Sequence, residues 1–292
     1  MQEAKFYQKL ENNRTSCQLC NHYCQIASNN NGICRARKNI DGRLFSLNYG
    51  KIIAEHIDPI EKKPLYHFLP GTLTYSIACA GCNFHCLNCQ NSDISQLTPK
   101  LINTIDALPE ISPEEIIERV LAAGCPSIAY TYTEPTIFAE FALSCMKLAR
   151  HHGLANVWVS NGYMSPACLE AIAPCLDAIN IDLKSFNKET YQKICGAKLE
   201  PILDNLLWLK NKNIHLEVTT LIMPGINDSE AELSAIAKFI SNKLGAATPW
   251  HVSAFYPTYK LSNLPATARE TILQAVEIGK KAGLEHVHGG NI

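Results

Sequence analysis

No run of apolar residues in this 292-residue chain approaches the ~20 that span a bilayer. Nor does an apolar stretch follow its polar start, MQEAKFYQKLENNR, so a cytosolic protein with neither membrane span nor secretory leader is expected. Excess charge is missing too: 26 Lys and Arg stand against 27 Asp and Glu, a net charge of −1. Electrostatic capture of nucleic acid or of an anionic membrane is therefore not expected. Low-complexity tracts and sequence repeats are absent, and with 47% hydrophobic residues the chain can bury a large core, which excludes disorder.

What the chain has in quantity is cysteine. There are 13, and the eight that precede residue 90 are grouped by short spacings. In a reducing compartment clustered thiols point to metal ligation, because thiolate is a soft ligand suited to zinc and iron–sulfur centres. Cys125, Cys145, Cys168, Cys175 and Cys195 are scattered and read as small buried hydrophobes.

Residues 1–50 carry CQLCNHYCQIASNNNGIC and little periodic hydrophobicity, which suggests a small ligand-stapled lobe. Residues 51–71, with DPIEKKPLYHFLPG, read as a linker. From residue 72 to 292 short apolar runs alternate with amphipathic stretches: TLTYSIA, SIAYTY, ANVWVS, DAINIDL, HLEVTTLI and WHVSAF as strands, with helices between them. In PTIFAEFALSCMKLARHHG, the residues Ile137, Phe138, Phe141, Cys145, Leu148 and Ala149 share one helical face. The final helix falls near 265–282, before a last strand in EHVHGG. Such alternation means a parallel sheet with right-handed crossovers. Polar or turn residues end successive strands (YTE, SNG, DLK, MPG, FYP), which favours a partial (β/α)6-type TIM barrel, with its site at the strand C-termini, over a doubly wound sheet.

The stretch GCNFHCLNCQNSD places Cys82, Cys86 and Cys89 directly after the first of these strands. A [4Fe–4S] cluster takes one thiolate per iron, so three leave an iron open, as an open position marks a catalytic metal site. Phe84 is placed to screen the cluster from water. Cys79 makes a competing C-x2-C with Cys82: it reads as a buried or spare thiol, while a structural zinc held by Cys79, Cys82, Cys86 and Cys89 is permitted by spacing. Upstream, Cys17, Cys20, Cys24 and Cys34 form C-x2-C-x3-C-x9-C, enough to close a tetrahedral shell around zinc or to hold an auxiliary [4Fe–4S] cluster, with His22 a bystander.

C-x3-C-x2-C after the first barrel strand resembles the radical S-adenosylmethionine (SAM) superfamily. CNFHCLNCQN resembles the branch containing pyruvate formate-lyase activating enzyme, and DPIEKKPLYHFLPG, YTYTEPTIF, VSNGY, NIDLKSF, IMPGIND and FYPTYKL are similar to its AmmeMemoRadiSam-system members. The resemblance implies that the open iron chelates SAM and that a reduced cluster cleaves it to a 5′-deoxyadenosyl radical, which takes a hydrogen atom from a substrate. It implies an electron donor such as flavodoxin or ferredoxin, and as target a protein or a molecule linked to Memo and AMMECR-like partners.

By the same resemblance Thr133 and Glu134 stand where relatives carry GGE, whose acid accepts from the SAM ammonium; the plainer reading of Glu134 is a helix-capping carboxylate. Ser160 and Asn161 would face the SAM ribose or carboxylate, or simply cap the next helix. Asp182 and Lys184, two apart on a strand, share a face, and Lys184 would meet the SAM carboxylate or form an ion pair with its neighbour. His251 and Tyr256 would reach substrate or adenine, unless structural. Asn88 departs from the aromatic usual before the last cysteine. The reading from another class is a non-catalytic iron–sulfur or zinc scaffold for partner proteins, which the altered YTYTEP loop and Asn88 favour.

Overall fold

Buried strands that alternate with one-sided helices should build a parallel sheet, and in the computed structural model, which describes residues 1–212 and 214–292, they do. Its strands are β1 (Ile52–Pro59), β2 (Leu73–Cys79), β3 (Ser127–Tyr130), β4 (Ala155–Ser160), β5 (Ala178–Asp182), β6 (His215–Ile222), β7 (Trp250–Ala254) and β8 (Val287–Gly290). They neighbour one another in chain order as one 8-stranded sheet. From β2 to β8 every pairing is parallel, and β1 runs antiparallel to β2. The sheet is mostly parallel and consistent with a partial barrel; its seventh parallel strand is the last one expected in EHVHGG. Helices start at side-chain caps: Ser112, Ser165 and Ser229 each accept from the backbone N–H three residues on, satisfying donors that a helix N-terminus leaves open.

The segment expected to be a linker, residues 51–71, is part of the sheet. Its first half is β1, and its second half folds into the barrel as a plug. Ile60 and Leu65, with Phe68 beside them, pack on Ala129, Val157 and Ala178, small residues that sit side by side in one row of β3, β4 and β5. Prolines and charges gave this stretch the look of a linker. Those small inward residues leave room for it, and that room is a property of the sheet that local sequence does not display.

The plug is latched by Glu217 on β6, a carboxylate with no solvent exposure. It accepts from the backbone N–H of Tyr66 at 3.1 Å and of His67 at 2.8 Å, and from the rings of His215 at 2.8 Å and His251 at 2.6 Å. Asn180 on β5 adds a bond from Nδ2 to the Pro64 carbonyl. Beyond the latch, His67 meets His288 of β8, nitrogen to nitrogen at 2.9 Å. The plug thus spans from β1 to the edge strand β8, which do not pair with each other.

Residues 1–50 form two small three-stranded antiparallel sheets. They are not detached: Leu19, Ile26, Ala36 and Leu44 belong to the same hydrophobic core as the barrel. Arg37 reaches across to Glu140 in helix Ala139–His151, both fully buried, with Nη1 2.7 Å from Oε1 and a second contact through Nη2. Nη2 also donates to the Ile137 carbonyl at 3.1 Å. In that helix Phe141, Cys145 and Ala149 are buried as the periodicity requires, and Leu148 is half-buried.

Two predictions follow from these buried charges. Replacing Glu140 by Leu strands the Arg37 charge in the core and should cost about 3–5 kcal/mol in denaturant unfolding, most of it recovered by adding Arg37→Met. A double variant as unstable as the single one would show that the stranded charge is not the cause. Glu217 is held at about 2 instead of 4.5: burial would raise it, but the donors of His215, His251 and the His67 backbone outweigh burial. A carboxylate depressed on folding stabilises above its unfolded value and loses that contribution as pH falls through its folded value. The stability gap between the chain and Glu217→Gln, read from urea midpoints of the metal-free proteins, should therefore narrow from pH 4.5 down to about 2; a constant gap would refute the latch.

Candidate functional site

β2 leads straight into the cysteine loop, so the strand that anchors the sheet also aims the thiols. Cys82, Cys86 and Cys89 line one cavity of about 750 Å³, bounded by residues at the C-terminal ends of β3 to β8, within the size range of cofactor sites. The loop is held by backbone bonds: His85 N–H to the Cys195 carbonyl at 3.0 Å, Leu87 N–H to Ile194 at 2.9 Å and Gly81 N–H to Ile94 at 2.9 Å. The Phe84 N–H donates to Cys82 Sγ at 3.3 Å, and Ser95 Oγ lies 3.1 Å from Cys89 Sγ. The Phe84 ring is buried, edge-on to Tyr163.

Cys79 is buried at the end of β2 and does not line the cavity, so the four-thiol arrangement with Cys79 is not formed. Among the described residues no three His, Cys, Asp or Glu side chains are grouped to hold a single metal ion. Three thiols spread around a shared space suit a polynuclear centre, whose ligands sit on separate irons. Cys195, which read as a core thiol, lies against Cys86. A hydrogen bond from it holds Cys86 below the ordinary thiol value against burial, and Cys195 is itself pushed well up. Burial, reinforced by Glu134, raises Cys82.

Glu134 lies at the cavity wall, but its carboxylate is already engaged. Oε1 accepts from Thr136 N–H at 3.0 Å, Thr136 Oγ1 at 2.5 Å and Ser160 Oγ at 2.8 Å, while Oε2 accepts from Asn161 N–H at 2.8 Å. It therefore caps the helical turn Pro135–Phe138 and ties the end of β3 to the end of β4. Burial still raises its pKa in spite of these donors. Thr133 Oγ1 donates to the Cys79 carbonyl at 2.6 Å. Ser160 Oγ accepts from Gly162 N–H at 3.0 Å. Asn161 Nδ2 donates to Asn83 Oδ1 at 2.7 Å and lies 3.9 Å from Cys82 Sγ. Gly162 has a φ of +74°, and a Cβ there would lie 2.9 Å from Ile181, so only glycine fits this turn.

Asp182 and Lys184 both line the cavity and pair with each other at 2.7 Å. Burial would lower Lys184, but Asp182 and the nearby thiols of Cys86 and Cys195 outweigh it, so the ammonium is secure. Asn88 and Thr219, both buried residues lining the cavity, each carry a buried polar atom without a partner, Oδ1 and Oγ1. His251 lines the cavity, bound to Glu217, whereas Tyr256 is exposed, does not itself line the cavity, and donates to the carbonyl of Asn291, which does. Lys63, Asp58, Tyr132 and His288 also line it. The first two lie in the stretch read as a linker, and only their charge beside prolines could have flagged them.

Cys17, Cys20, Cys24 and Cys34 come together around a second, much smaller void. Burial pushes Cys34 up to about 12, with Cys17 adding to it. His22 lines the same void, and its Nε2 bonds the Asn83 carbonyl at 2.8 Å.

The description "Radical SAM superfamily" matches residues 76–239. An uncharacterized protein of Methanocaldococcus jannaschii is 44% identical over 294 residues, covering 100% of this chain and 86% of that one. Pyruvate formate-lyase 1-activating enzyme of Escherichia coli is 22% identical over 212 residues, covering 72% of this chain and 84% of the relative. Among solved structures, a radical SAM methyltransferase from Sphaerobacter thermophilus superposes with a TM-score of 0.57 at 14% identity, over 77% of this chain and 68% of that one, a likeness of fold alone.

Proposed function

The chain belongs to the radical SAM superfamily, and from that premise we propose that it is an enzyme whose Cys82, Cys86 and Cys89 hold a [4Fe–4S] cluster beside bound SAM. The observation that carries this reading is the cavity wall: three thiols share one large space, and among the described residues no further cysteine lines it. The chemistry supplied by cluster and SAM is reductive cleavage to a 5′-deoxyadenosyl radical and removal of a hydrogen atom from a substrate.

The chain's own residues supply binding, orientation and exclusion of water. Lys184, a secured cation in the cavity, suits the SAM carboxylate. Asn88 Oδ1 and Thr219 Oγ1, buried and without partners, are an acceptor and a hydroxyl waiting for a polar ligand. Glu134 acts here as a positioning residue: with both oxygens engaged, it fixes Ser160 and Asn161 and through Asn161 the loop of Cys82. Phe84, packed on Tyr163, covers the loop from solvent. The electron comes from an external donor such as flavodoxin or ferredoxin. The activating-enzyme relatives support a polypeptide as hydrogen donor, although a shared fold does not by itself fix a substrate.

Anaerobic reconstitution followed by dithionite and SAM should yield 5′-deoxyadenosine, abolished by alanine at any of Cys82, Cys86 or Cys89. Production unchanged in Cys82→Ala would remove that ligand, and none from the unaltered chain would favour a non-catalytic scaffold. Lys184→Met should weaken SAM binding by about 10-fold or more, and Asn88→Leu by about 5-fold, the range for losing a charged and a neutral hydrogen bond. Binding titrations that leave both affinities unchanged would place SAM elsewhere.

A further inference from the structure

On the other side of the cysteine loop from the large cavity, the four N-terminal cysteines surround a void of about 10 Å³, with Arg37 and Asn83 in its wall. Both of these residues are buried, and each carries a donor with no acceptor: Arg37 Nε and Asn83 Nδ2. The remaining groups of both side chains are committed. Arg37 uses Nη1 and Nη2 on Glu140 and the Ile137 carbonyl. Asn83 accepts through Oδ1 from Asn161, which fixes its amide with the nitrogen turned away from that bond. Two orphaned donors on residues of a void whose wall carries four thiols, beside the apolar Leu19, Ile33 and Ile137, call for an anionic sulfur-rich occupant, because buried donors are rarely left unmade.

The size of the void separates the candidates. A tetrahedral zinc sits ~2.3 Å from each sulfur, which leaves no room at its centre for a sphere of water's ~1.4 Å radius. This void admits one. Consistently, no three of these thiols are grouped for a single ion. Four thiols lining a water-sized void suit the separate corners of a cubane better than one shared ion.

We propose that Cys17, Cys20, Cys24 and Cys34 hold a second [4Fe–4S] cluster, ligated at all four irons by the protein, with Arg37 Nε–H and Asn83 Nδ2–H donating to its sulfurs. Having no open iron, it does not bind SAM. Hydrogen bonds to cluster sulfurs tune reduction potential, and Asn83 is also a member of the loop that carries Cys82 and Cys86, so one amide stands between the two thiol sites.

The test removes the first site and leaves this one. The full chain with Cys82, Cys86 and Cys89 all changed to Ala, reconstituted anaerobically with iron and sulfide, should retain about four irons and four sulfides, against about eight irons in the unaltered chain. Its reduced paramagnetic signal should not respond to SAM. One zinc and no iron in the triple variant, or neither metal, overturns the proposal. Should that variant fail to fold, the unaltered chain is compared with the Cys17→Ala/Cys20→Ala variant, and an iron count unchanged by those substitutions does the same. In the triple-variant background Asn83→Leu should shift the midpoint potential of the remaining cluster to more negative values, and an unmoved potential removes Asn83 from the site. Because the triple variant lacks the first site and the fallback compares metal content alone, the outcome is independent of whether the chain cleaves SAM.

Discussion

A carboxylate inside a barrel is costly unless every lone pair is met, and Glu217 is met by four donors. That one requirement organises the open side of the sheet. It fixes the rings of His215 and His251 and holds Tyr66 and His67 of the plug. Tyr66 then contacts the rings of His251 at 4.7 Å and His288 at 4.8 Å, while His67 contacts His286 at 4.4 Å. The edge strand β8 is thereby tied to a segment that follows β1, without hydrogen bonds between the two strands. The cavity in front of the cysteine loop owes its floor to this arrangement, since Lys63 and Tyr66 line it from the plug side.

The N-terminal sheets meet the barrel by a different device. Gln18, Cys20 and Asn21 dock on the turn after β4: Asn21 N–H donates to the Tyr163 carbonyl at 3.0 Å, Asn21 Nδ2 to Met164 at 2.6 Å, and Ser165 Oγ to the Gln18 carbonyl at 2.5 Å. That turn also supplies Asn161 to the Cys82 loop. Both groups of cysteines are therefore referenced to the same few residues, Asn161 to Ser165, and a disturbance of the Gly162 turn reaches both. The buried Arg37–Glu140 pair completes the junction, and by itself it favours a defined docking over raw stability.

Much of this was readable from sequence because it rests on local periodicity. HLEVTTLI is a strand over the same residues, 215–222, and the final helix, expected near 265–282, spans Arg269–Lys281. Asp182 and Lys184 reach one cavity as expected, although the strand ends at Asp182 and Lys184 lies just beyond it. What sequence hid depends on partners distant in the chain. The plug needed Ala129, Val157 and Ala178 to be small together, and nothing local marks Glu217, whose two backbone donors lie about 150 residues away. Glu134 was legible as a residue of the site and as a cap, but not the completeness with which Ser160 and Asn161 consume its oxygens. Tyr256 depends on a distant partner too: it lies two residues beyond the strand end at Ala254, exposed, on the carbonyl of Asn291.

The loop YTYTEP carries the clearest departure from activating-enzyme relatives, tyrosine and threonine in place of two glycines. Tyr132 keeps the backbone that glycine would allow, with φ at +63°, a conformation costing a non-glycine residue roughly 1–2 kcal/mol. The side chain offsets that cost. Its hydroxyl donates to Asp58, and Lys63 Nζ lies 4.4 Å from the ring centroid while also bonding Asp58 at 2.8 Å. A cation over an aromatic face away from bulk water contributes on the order of 1–2 kcal/mol, and the shared carboxylate adds to it. The substitution therefore joins the loop at the end of β3 to the plug, two elements that glycines would leave unconnected. It makes the wall of the cavity between the cysteine loop and the plug a fixed surface, so that a ligand there meets a preformed shape and has less ordering to impose on binding.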